Sequence, residues 1–259
     1  YQHWFGKNLS SLYQKKDSIR GKLIDEKIWS NSLQEERKLT FYLPQAYENS
    51  KRYPIVYLAD GYIVKEYANY VEKLIDDKKI SKVILVGIHS GETPESDKLD
   101  MSKNKRTLEY LNGIGQFLPN ADTSRYEKHM TFFCEEVVDY VNNKFLEKTE
   151  QRSLYGFSNG ASFSISASLQ YPGLYANVIS LSIGWELSYE KSLITDEFPR
   201  FYLAVGSLEK DFYSITQKWA DILKKNGKNF HFKKAISFHD DIMWRQEFLN
   251  AIEKIYSLQ

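Results

Sequence analysis

Runs of almost uninterrupted apolar residues recur along the chain and alternate with stretches of helical period. Strands that are apolar on both sides are typical of a parallel sheet that is covered on both faces. Such strands are predicted at residues 53–59, 82–88, 153–156, 178–182 and 200–205, and a last strand is predicted at residues 230–236. Helices are predicted between and after them, at residues 64–77, 126–146, 161–171, 213–226 and 241–257. The pattern therefore predicts an α/β fold with a mostly parallel central sheet and helices on both faces.

The N-terminal part of the chain follows a different pattern. Residues 21–30 and 37–43 alternate between apolar and polar positions and are separated by a short polar stretch. This predicts an antiparallel pair of strands. Residues 1–20 are polar with scattered aromatics and are expected to form a lead-in segment. No linker is evident after it, so we expect residues 21–259 to form a single domain.

Residues 90–124 form the one long stretch without a clear period, and they contain several glycines and prolines. A loop of that length inside a compact domain is usually functional. We therefore expect this segment to border a binding site.

Composition narrows the function only slightly. The 259 residues include 35 basic and 34 acidic side chains, and this balance gives no reason to expect nucleic acid or an anionic membrane as partner. No apolar run approaches the roughly 18 residues of a membrane span. The lone Cys134 excludes an intramolecular disulfide, and its apolar neighbours indicate a packing residue. Because the sequence begins at Tyr1, a removed leader is one expectation, and periplasmic, secreted and cytoplasmic locations all stay open, as does the oligomeric state.

The residues 156–160 read Gly-Phe-Ser-Asn-Gly, which fits the G-x-S-x-G nucleophile elbow. A serine on a sharp strand-to-helix turn needs neighbours without bulky side chains. The helix that follows directs its N-terminal N–H groups at the site. Because the pentapeptide lies between a predicted strand and a predicted helix, we expect Ser158 to be a nucleophile.

A serine needs a base to react at neutral pH, and a carboxylate orients that base. His239 follows one predicted strand, and both Glu209 and Asp211 follow another. Ligands bind outside the carboxyl ends of such strands, and the order serine, acid, histidine is that of α/β hydrolases. We expect a triad in which the acid is either Glu209 or Asp211. Asp240 and Asp241 adjoin the histidine in sequence and are expected to cap the last helix instead.

An oxyanion hole needs two backbone N–H donors. One is expected from Asn159, directly after the serine, and the other from Tyr62, in the glycine-containing loop after the strand at residues 53–59. His89 also follows a predicted strand, so it is a candidate for the border of the pocket, with a surface loop as the alternative. This chemistry requires no metal and no organic cofactor.

Several ordered motifs resemble the "putative esterase" family of α/β hydrolases, which includes esterase D, enterobactin-type siderophore esterases and feruloyl esterases. The resemblance covers roughly residues 20–257 and lies at residues 39–47, 53–61, 152–160, 171–175, 206–209 and 239–245. It implies an α/β-hydrolase fold and identifies Ser158, His239 and Glu209 as the triad. The sequence departs from the family pattern at Ala161, where a glycine is frequent, and at Phe238, where a Gly-Gly pair usually precedes the histidine. We expect Phe238 to narrow the pocket.

The resemblance also implies substrate contacts. Arg106 and Tyr110 are similar to an "R..ey" element of siderophore-esterase-like members, where an arginine near the pocket suits an anionic or catecholate substrate. The alternative for Arg106 is a surface position in a lysine-rich loop. Trp185 occupies a family position expected to line the acyl or alcohol side, with a core tryptophan as the alternative.

The sequence therefore predicts a serine carboxylic-ester hydrolase that works through an acyl-enzyme on a small-molecule ester, of siderophore type or with an aromatic acyl group. Three alternatives stay open. They are acyl transfer to an alcohol, a thioester hydrolase resembling esterase D, and a non-catalytic binding protein on a hydrolase scaffold.

Overall fold

The structure is a computed structural model that describes residues 19–118, 120–146, 151–186 and 197–258. The expected lead-in segment lies outside the described residues except for its last two positions. Strands are formed by β1 (Lys22–Ser30), β2 (Glu35–Leu43), β3 (Ile55–Ala59), β4 (Ile84–Ile88), β5 (Ser153–Phe157), β6 (Asn177–Leu181), β7 (Arg200–Gly206) and β8 (Phe230–Ala235). Helices are formed by α1 (Val64–Asp76), α2 (Lys105–Tyr110), α3 (Ser124–Thr131), α4 (Val137–Lys144), α5 (Asn159–Gln170), α6 (Lys210–Lys225) and α7 (Asp241–Tyr256).

Within the described ranges, the strands form one sheet in the order β1-β2-β4-β3-β5-β6-β7-β8. β2 runs antiparallel to both of its neighbours, and every other pairing is parallel. This is the α/β-hydrolase arrangement that the sequence predicted, with an antiparallel pair at the N-terminus. The continuity of the sheet from β1 to β8 supports the proposal of a single domain over residues 21–259.

The parallel strands β3 to β6 are short and fully buried because both faces of the sheet are covered there, whereas β8 at the edge of the sheet has no buried residue. Successive residues of β3 point to opposite faces, so Tyr57 joins one core cluster while Leu58 joins the other. Helices α3 to α6 pack on the first face, and α1 and α7 pack on the second. Cys134 is buried in the first cluster, which confirms its role as a packing residue.

The long segment 90–124 contains more structure than its sequence predicted. It includes α2 and the single 3-10 turns Glu95–Asp97 and Ile114–Gln116. The helix predicted after it is also interrupted, because a π-helical turn at Phe132–Glu136 lies between α3 and α4. Six-residue helices and single turns give too few repeats for periodicity to reveal them.

The carboxyl ends of the parallel strands lie along one edge of the sheet. β3 pairs with β5, and β5 through β8 pair in sequence order. The loops after β3, β5, β6, β7 and β8 are therefore neighbours at this edge, which brings together residues distant in sequence.

No helix among the described residues is long and apolar enough to span a membrane.

Candidate active site

Ser158 lies on the sharp turn between β5 and α5 and has a strained backbone with φ 53° and ψ −126°. A Cβ at Gly156 would lie 2.0 Å from the carbonyl oxygen of Gly160, so no side chain fits there. Gly184 approaches the turn from behind, and its N–H donates to the Ser158 carbonyl at 3.1 Å. The turn is therefore closely packed by backbone on both sides, which presents the serine hydroxyl at the carboxyl edge of the sheet.

His239 lies in the loop between β8 and α7, and its Nε2 is 3.1 Å from the Ser158 Oγ. The imidazole is stacked on Phe212, with ring centroids 3.9 Å apart, and meets Trp244 edge-on at 4.5 Å. Asp240 caps α7, with its side chain accepting from the Met243 N–H, as the sequence predicted. Two aromatic rings and a helix cap thus hold the imidazole within hydrogen-bond reach of the serine.

Glu209 is the carboxylate that faces the histidine. Its side chain is fully buried, and its Oε2 lies 3.7 Å from the His239 Nδ1. Asp211 lies in the first turn of α6 and is exposed. The geometry thus favours Glu209 over Asp211 as the partner of His239.

Ser182 and Trp244 hold the other oxygen of this carboxylate. The Ser182 hydroxyl donates to Glu209 Oε1 at 2.9 Å, and the Trp244 Nε1–H donates to the Ser182 hydroxyl at 2.9 Å. Both side chains come from other loops or helices than Glu209, so they fix it from outside its own turn. Sequence reasoning missed Ser182, although it lies in the same family motif as Trp185.

The two expected oxyanion donors lie in the first turns of two helical segments, and these segments follow the neighbouring strands β3 and β5. Asn159 is the first residue of α5, and Tyr62 belongs to the 3-10 turn Gly61–Ile63 directly after β3. The first N–H groups of a helix have no intrahelical acceptor and are available to a ligand. Gly61 lets the turn lie against β4, because a Cβ there would meet the Gly87 carbonyl carbon at 2.6 Å.

Arg106 and Tyr110, both on α2, make contacts other than the expected substrate contacts. The Arg106 guanidinium binds the Asp60 carboxylate through Nε at 2.5 Å and Nη2 at 2.6 Å. Burial opposes this charge, but the Asp60 carboxylate more than offsets it and raises the pKa of Arg106. Tyr110 is 1% exposed, and its hydroxyl accepts from the Asp60 N–H at 2.9 Å. Both side chains thus contact Asp60, a residue that sequence reasoning did not single out, and their expected contact with a substrate stays a prediction.

His89 lies beneath the same turn. Its Nε2 is 2.9 Å from the Thr40 hydroxyl, and its ring is in the space that a Cβ at Gly61 would need. Burial lowers the pKa of His89 to about 4, so the ring is neutral at neutral pH. His89 therefore packs against the turn that contains Gly61. Its expected place at the border of the substrate pocket stays a prediction.

Aromatic side chains adjoin the site residues on several sides. Trp185 follows Gly184 and packs edge-on against Phe117 at 5.4 Å, and Phe117 is 63% exposed. Tyr62 and Phe238 are 60% and 46% exposed, respectively. The carboxyl edge thus carries a partly exposed aromatic surface. All of its residues except Phe117 were predicted from the sequence as site residues.

A serine and a histidine in contact at the carboxyl edge of this sheet define a hydrolase of the α/β class. Residues 30–254 match the family described as "Putative esterase", and the chain belongs to that family. It is a serine carboxylic ester hydrolase.

Individual proteins resemble the chain in sequence or in fold. The chain is 26% identical over 255 residues to the uncharacterized protein YjcH of Bacillus subtilis (strain 168), covering 91% of this chain and 98% of that protein. A CE1 ferulic acid esterase from Anaeromyces mucronatus superposes with a TM-score of 0.71 at 17% identity, covering 93% of this chain and 92% of that one. The enterochelin esterase from Shigella flexneri superposes with a TM-score of 0.70 at 16% identity, covering 92% of this chain and 58% of that one.

Proposed function

We propose that the protein hydrolyses carboxylic esters through an acyl-enzyme formed on Ser158, with His239 as the base and Glu209 as the acid that orients it. The observation that carries the proposal is the 3.1 Å contact between the His239 Nε2 and the Ser158 Oγ on a strained elbow. A hydroxyl in contact with an imidazole is the arrangement that activates serine for attack.

In the first half of the reaction, the Ser158 Oγ attacks the ester carbonyl while His239 takes its proton. The carbonyl oxygen becomes an oxyanion, for which the N–H groups of Asn159 and Tyr62 are the proposed donors. His239 then gives the proton to the leaving alcohol, and the acyl group stays on Ser158. In the second half, His239 takes a proton from water while the water oxygen attacks the acyl carbonyl. His239 then returns the proton to the Ser158 Oγ as its bond to the acyl group breaks, so the carboxylic acid leaves and both residues are regenerated.

Glu209 acts on His239 throughout these steps. A carboxylate beside Nδ1 favours the tautomer with its proton on that nitrogen and stabilises the imidazolium formed during attack. The buried position of Glu209 strengthens this interaction, because the local dielectric is low.

We further propose that the ester carries an aromatic group on its acyl or alcohol side. Tyr62 and Phe238 follow β3 and β8 at the carboxyl edge of the sheet, and Trp185 packs against Phe117 after β6, so these partly exposed rings offer flat apolar contacts at that edge. The names of two structural neighbours, a ferulic acid esterase and an enterochelin esterase, agree with this class. A panel of a feruloyl ester, a catecholate trilactone and a simple acyl ester compares the candidates, and higher kcat/KM on the simple ester than on both aromatic ones would reject the aromatic class.

The test of the mechanism is hydrolysis of a short p-nitrophenyl ester. We expect Ser158→Ala to lower kcat by more than about 1,000-fold while the thermal unfolding midpoint stays close to that of the wild type. Activity near the wild-type value in a folded Ser158→Ala protein would overturn the proposal.

The identity of the acid is tested by two matched amide substitutions. Glu209→Gln is expected to lower kcat by at least about 100-fold, because the amide cannot stabilise the imidazolium. Asp211→Asn, two residues further along, should change kcat by less than about threefold because that carboxylate is exposed. The reverse order of effects would assign the role to Asp211.

A further inference from the structure

The guanidinium of Arg106 joins the two backbone segments from which the proposed oxyanion donors come. It binds both carboxylate oxygens of Asp60, which precedes the turn that contains Tyr62. Its Nη2 also lies 3.5 Å from the carbonyl oxygen of Phe157, which directly precedes Ser158. One side chain thus contacts the segment before each of the two donors.

Asp60 is constrained at every polar group. Its backbone is left-handed, with φ 65° and ψ 61°, a conformation that is unfavourable for a residue with a Cβ and persists where the surroundings impose it. Its N–H donates to the Tyr110 hydroxyl at 2.9 Å, and its carbonyl accepts from the Ile63 N–H at 3.1 Å. The orientation of the next residues therefore depends on the contacts that Asp60 makes.

The carboxylate of Asp60 lies between the two segments and has no exposed surface. It is also close to α5, the helix that follows Ser158 and is called the nucleophile helix below, since a Cβ at Gly160 would lie 3.2 Å from the Asp60 Oδ2. A buried carboxylate is strongly unfavourable without a partner of opposite charge. Arg106 supplies that charge in a two-pronged geometry, which fixes direction as well as distance.

The helix α2 presents Arg106 and Tyr110 together. Its first turn is capped by Asn104, whose side chain accepts from the Thr107 N–H at 3.0 Å. The Tyr110 ring packs against Phe163 of the nucleophile helix, with centroids 5.2 Å apart, and the Arg106 guanidinium lies 5.2 Å from the centre of the Tyr110 ring. The helix is thereby anchored to the elbow that its side chains adjoin.

From these contacts, we propose that Arg106 is a positioning residue. Through Asp60 it holds the turn Gly61–Ile63, which carries the proposed donor Tyr62, against the nucleophile elbow at Ser158. The inference rests on the proposed function, because it assigns a role within that same site. It differs from the expectation that the arginine binds an anionic substrate. A positioning residue affects the transition state of every ester, whereas a substrate contact affects only esters that carry the matching charge.

The experiment compares two p-nitrophenyl esters of equal acyl length, a neutral valerate and an anionic glutarate monoester. Arg106→Gln is expected to lower kcat on both esters by a similar factor of about 10 to 100, with KM changed less than about threefold. Asp60→Asn should give the same pattern, and the double variant should be no slower than the slower single variant, because both changes break one unit. Lys105→Gln, the neighbouring cation on α2, is the matched control and should leave kcat unchanged.

Should the single variants fail to fold, the double variant Asp60→Asn/Arg106→Gln carries the test, because it leaves no unpaired charge. A loss of kcat on both esters at constant KM supports the inference. A rise in KM confined to the glutarate ester, or wild-type kcat on both, overturns it.

Ser158→Ala measured in parallel distinguishes a failure of the positioning role of Arg106 from a failure of the proposed esterase function. If Ser158→Ala is inactive while folded Arg106→Gln behaves like the wild type, only the positioning role fails. If Ser158→Ala is as active as the wild type, the proposed function fails and the positioning role fails with it.

Discussion

Ser182 and Trp244 form a short chain of hydrogen bonds that ends on Glu209, so removing either should loosen the acid that faces His239. Ser182→Ala deletes the donor to Glu209 Oε1 and also leaves the Trp244 N–H without its acceptor. Trp244→Phe removes that N–H together with part of the indole ring system, and it keeps a phenyl ring beside His239. The two substitutions therefore remove different amounts of the same support.

The size of each effect follows from the kind of bond that is lost. A hydrogen bond to a charged group is worth about 1.5–3 kcal/mol and one between neutral groups about 0.5–1.5 kcal/mol. If the loss is expressed in the transition state, Ser182→Ala lowers kcat by about 10- to 150-fold and Trp244→Phe by about 2- to 12-fold. The double variant should match Ser182→Ala, because the Trp244 bond is already absent in that variant.

The assay is steady-state hydrolysis of a p-nitrophenyl ester, with Ser180→Ala as the matched control. Ser180 lies on β6, two residues before Ser182, but its hydroxyl bonds Ser164 and the Ala161 carbonyl instead of the acid. A kcat for Ser182→Ala within about twofold of that for Ser180→Ala would refute the reasoning, since the expected loss exceeds that factor.

Two further predictions concern stability. Burial lowers the pKa of His129 to about 3, below its unfolded value near 6.5, so the unfolded state binds an additional proton between these values. The stability that the neutral ring contributes is present above pH 6.5 and is lost as the pH falls toward 3. We expect the wild type to lose about 1.4 kcal/mol per pH unit more than His129→Phe within that window, measured by urea unfolding at pH 6.0, 5.0 and 4.0, and equal slopes would contradict this. Gly156→Ala should destabilise the protein by about 3 kcal/mol because its Cβ meets the backbone of Gly160 at 2.0 Å. Gly227→Ala, at φ 63° with open space around it, should cost only about 1 kcal/mol by the same measurement, and similar costs at both positions would contradict the packing argument.

The sheet and the elbow could be predicted from the sequence because their signals are local. Each buried strand is a continuous apolar run, and the elbow has glycines at fixed offsets around Ser158. The order of strands places the loops that carry Glu209 and His239 at one edge, and this follows from the general rule for parallel sheets.

The partners of individual side chains could not be predicted in the same way. Arg106 and Asp60 are 46 residues apart, and no pattern near either indicates that they meet. The choice between Glu209 and Asp211 likewise depends on where α6 begins, because a shift of two residues moves a carboxylate from the buried loop to the exposed first turn. Helix boundaries at that precision depend on tertiary contacts rather than on local propensity.

Another feature missing from the sequence-based account is the buried ion-pair network around Glu109. Arg37 and Arg125 both bind its carboxylate, and the Gly91 N–H donates to it at 2.9 Å. The network ties β2, the segment after β4, α2 and α3 together. It also explains how the segment 90–124 keeps a defined position beside the site despite its weak periodicity.

The acyl-enzyme mechanism is tested most directly by trapping the acyl-enzyme and locating the modified residue. The protein is mixed with an ester that acylates quickly and deacylates slowly, quenched in acid, digested, and examined by mass spectrometry. We expect one acyl group per chain on Ser158, with no such adduct in Ser158→Ala and a strongly reduced rate of formation in His239→Ala. Turnover with an adduct on a different residue, or with equal acylation of the Ser158→Ala protein, would contradict the central claim.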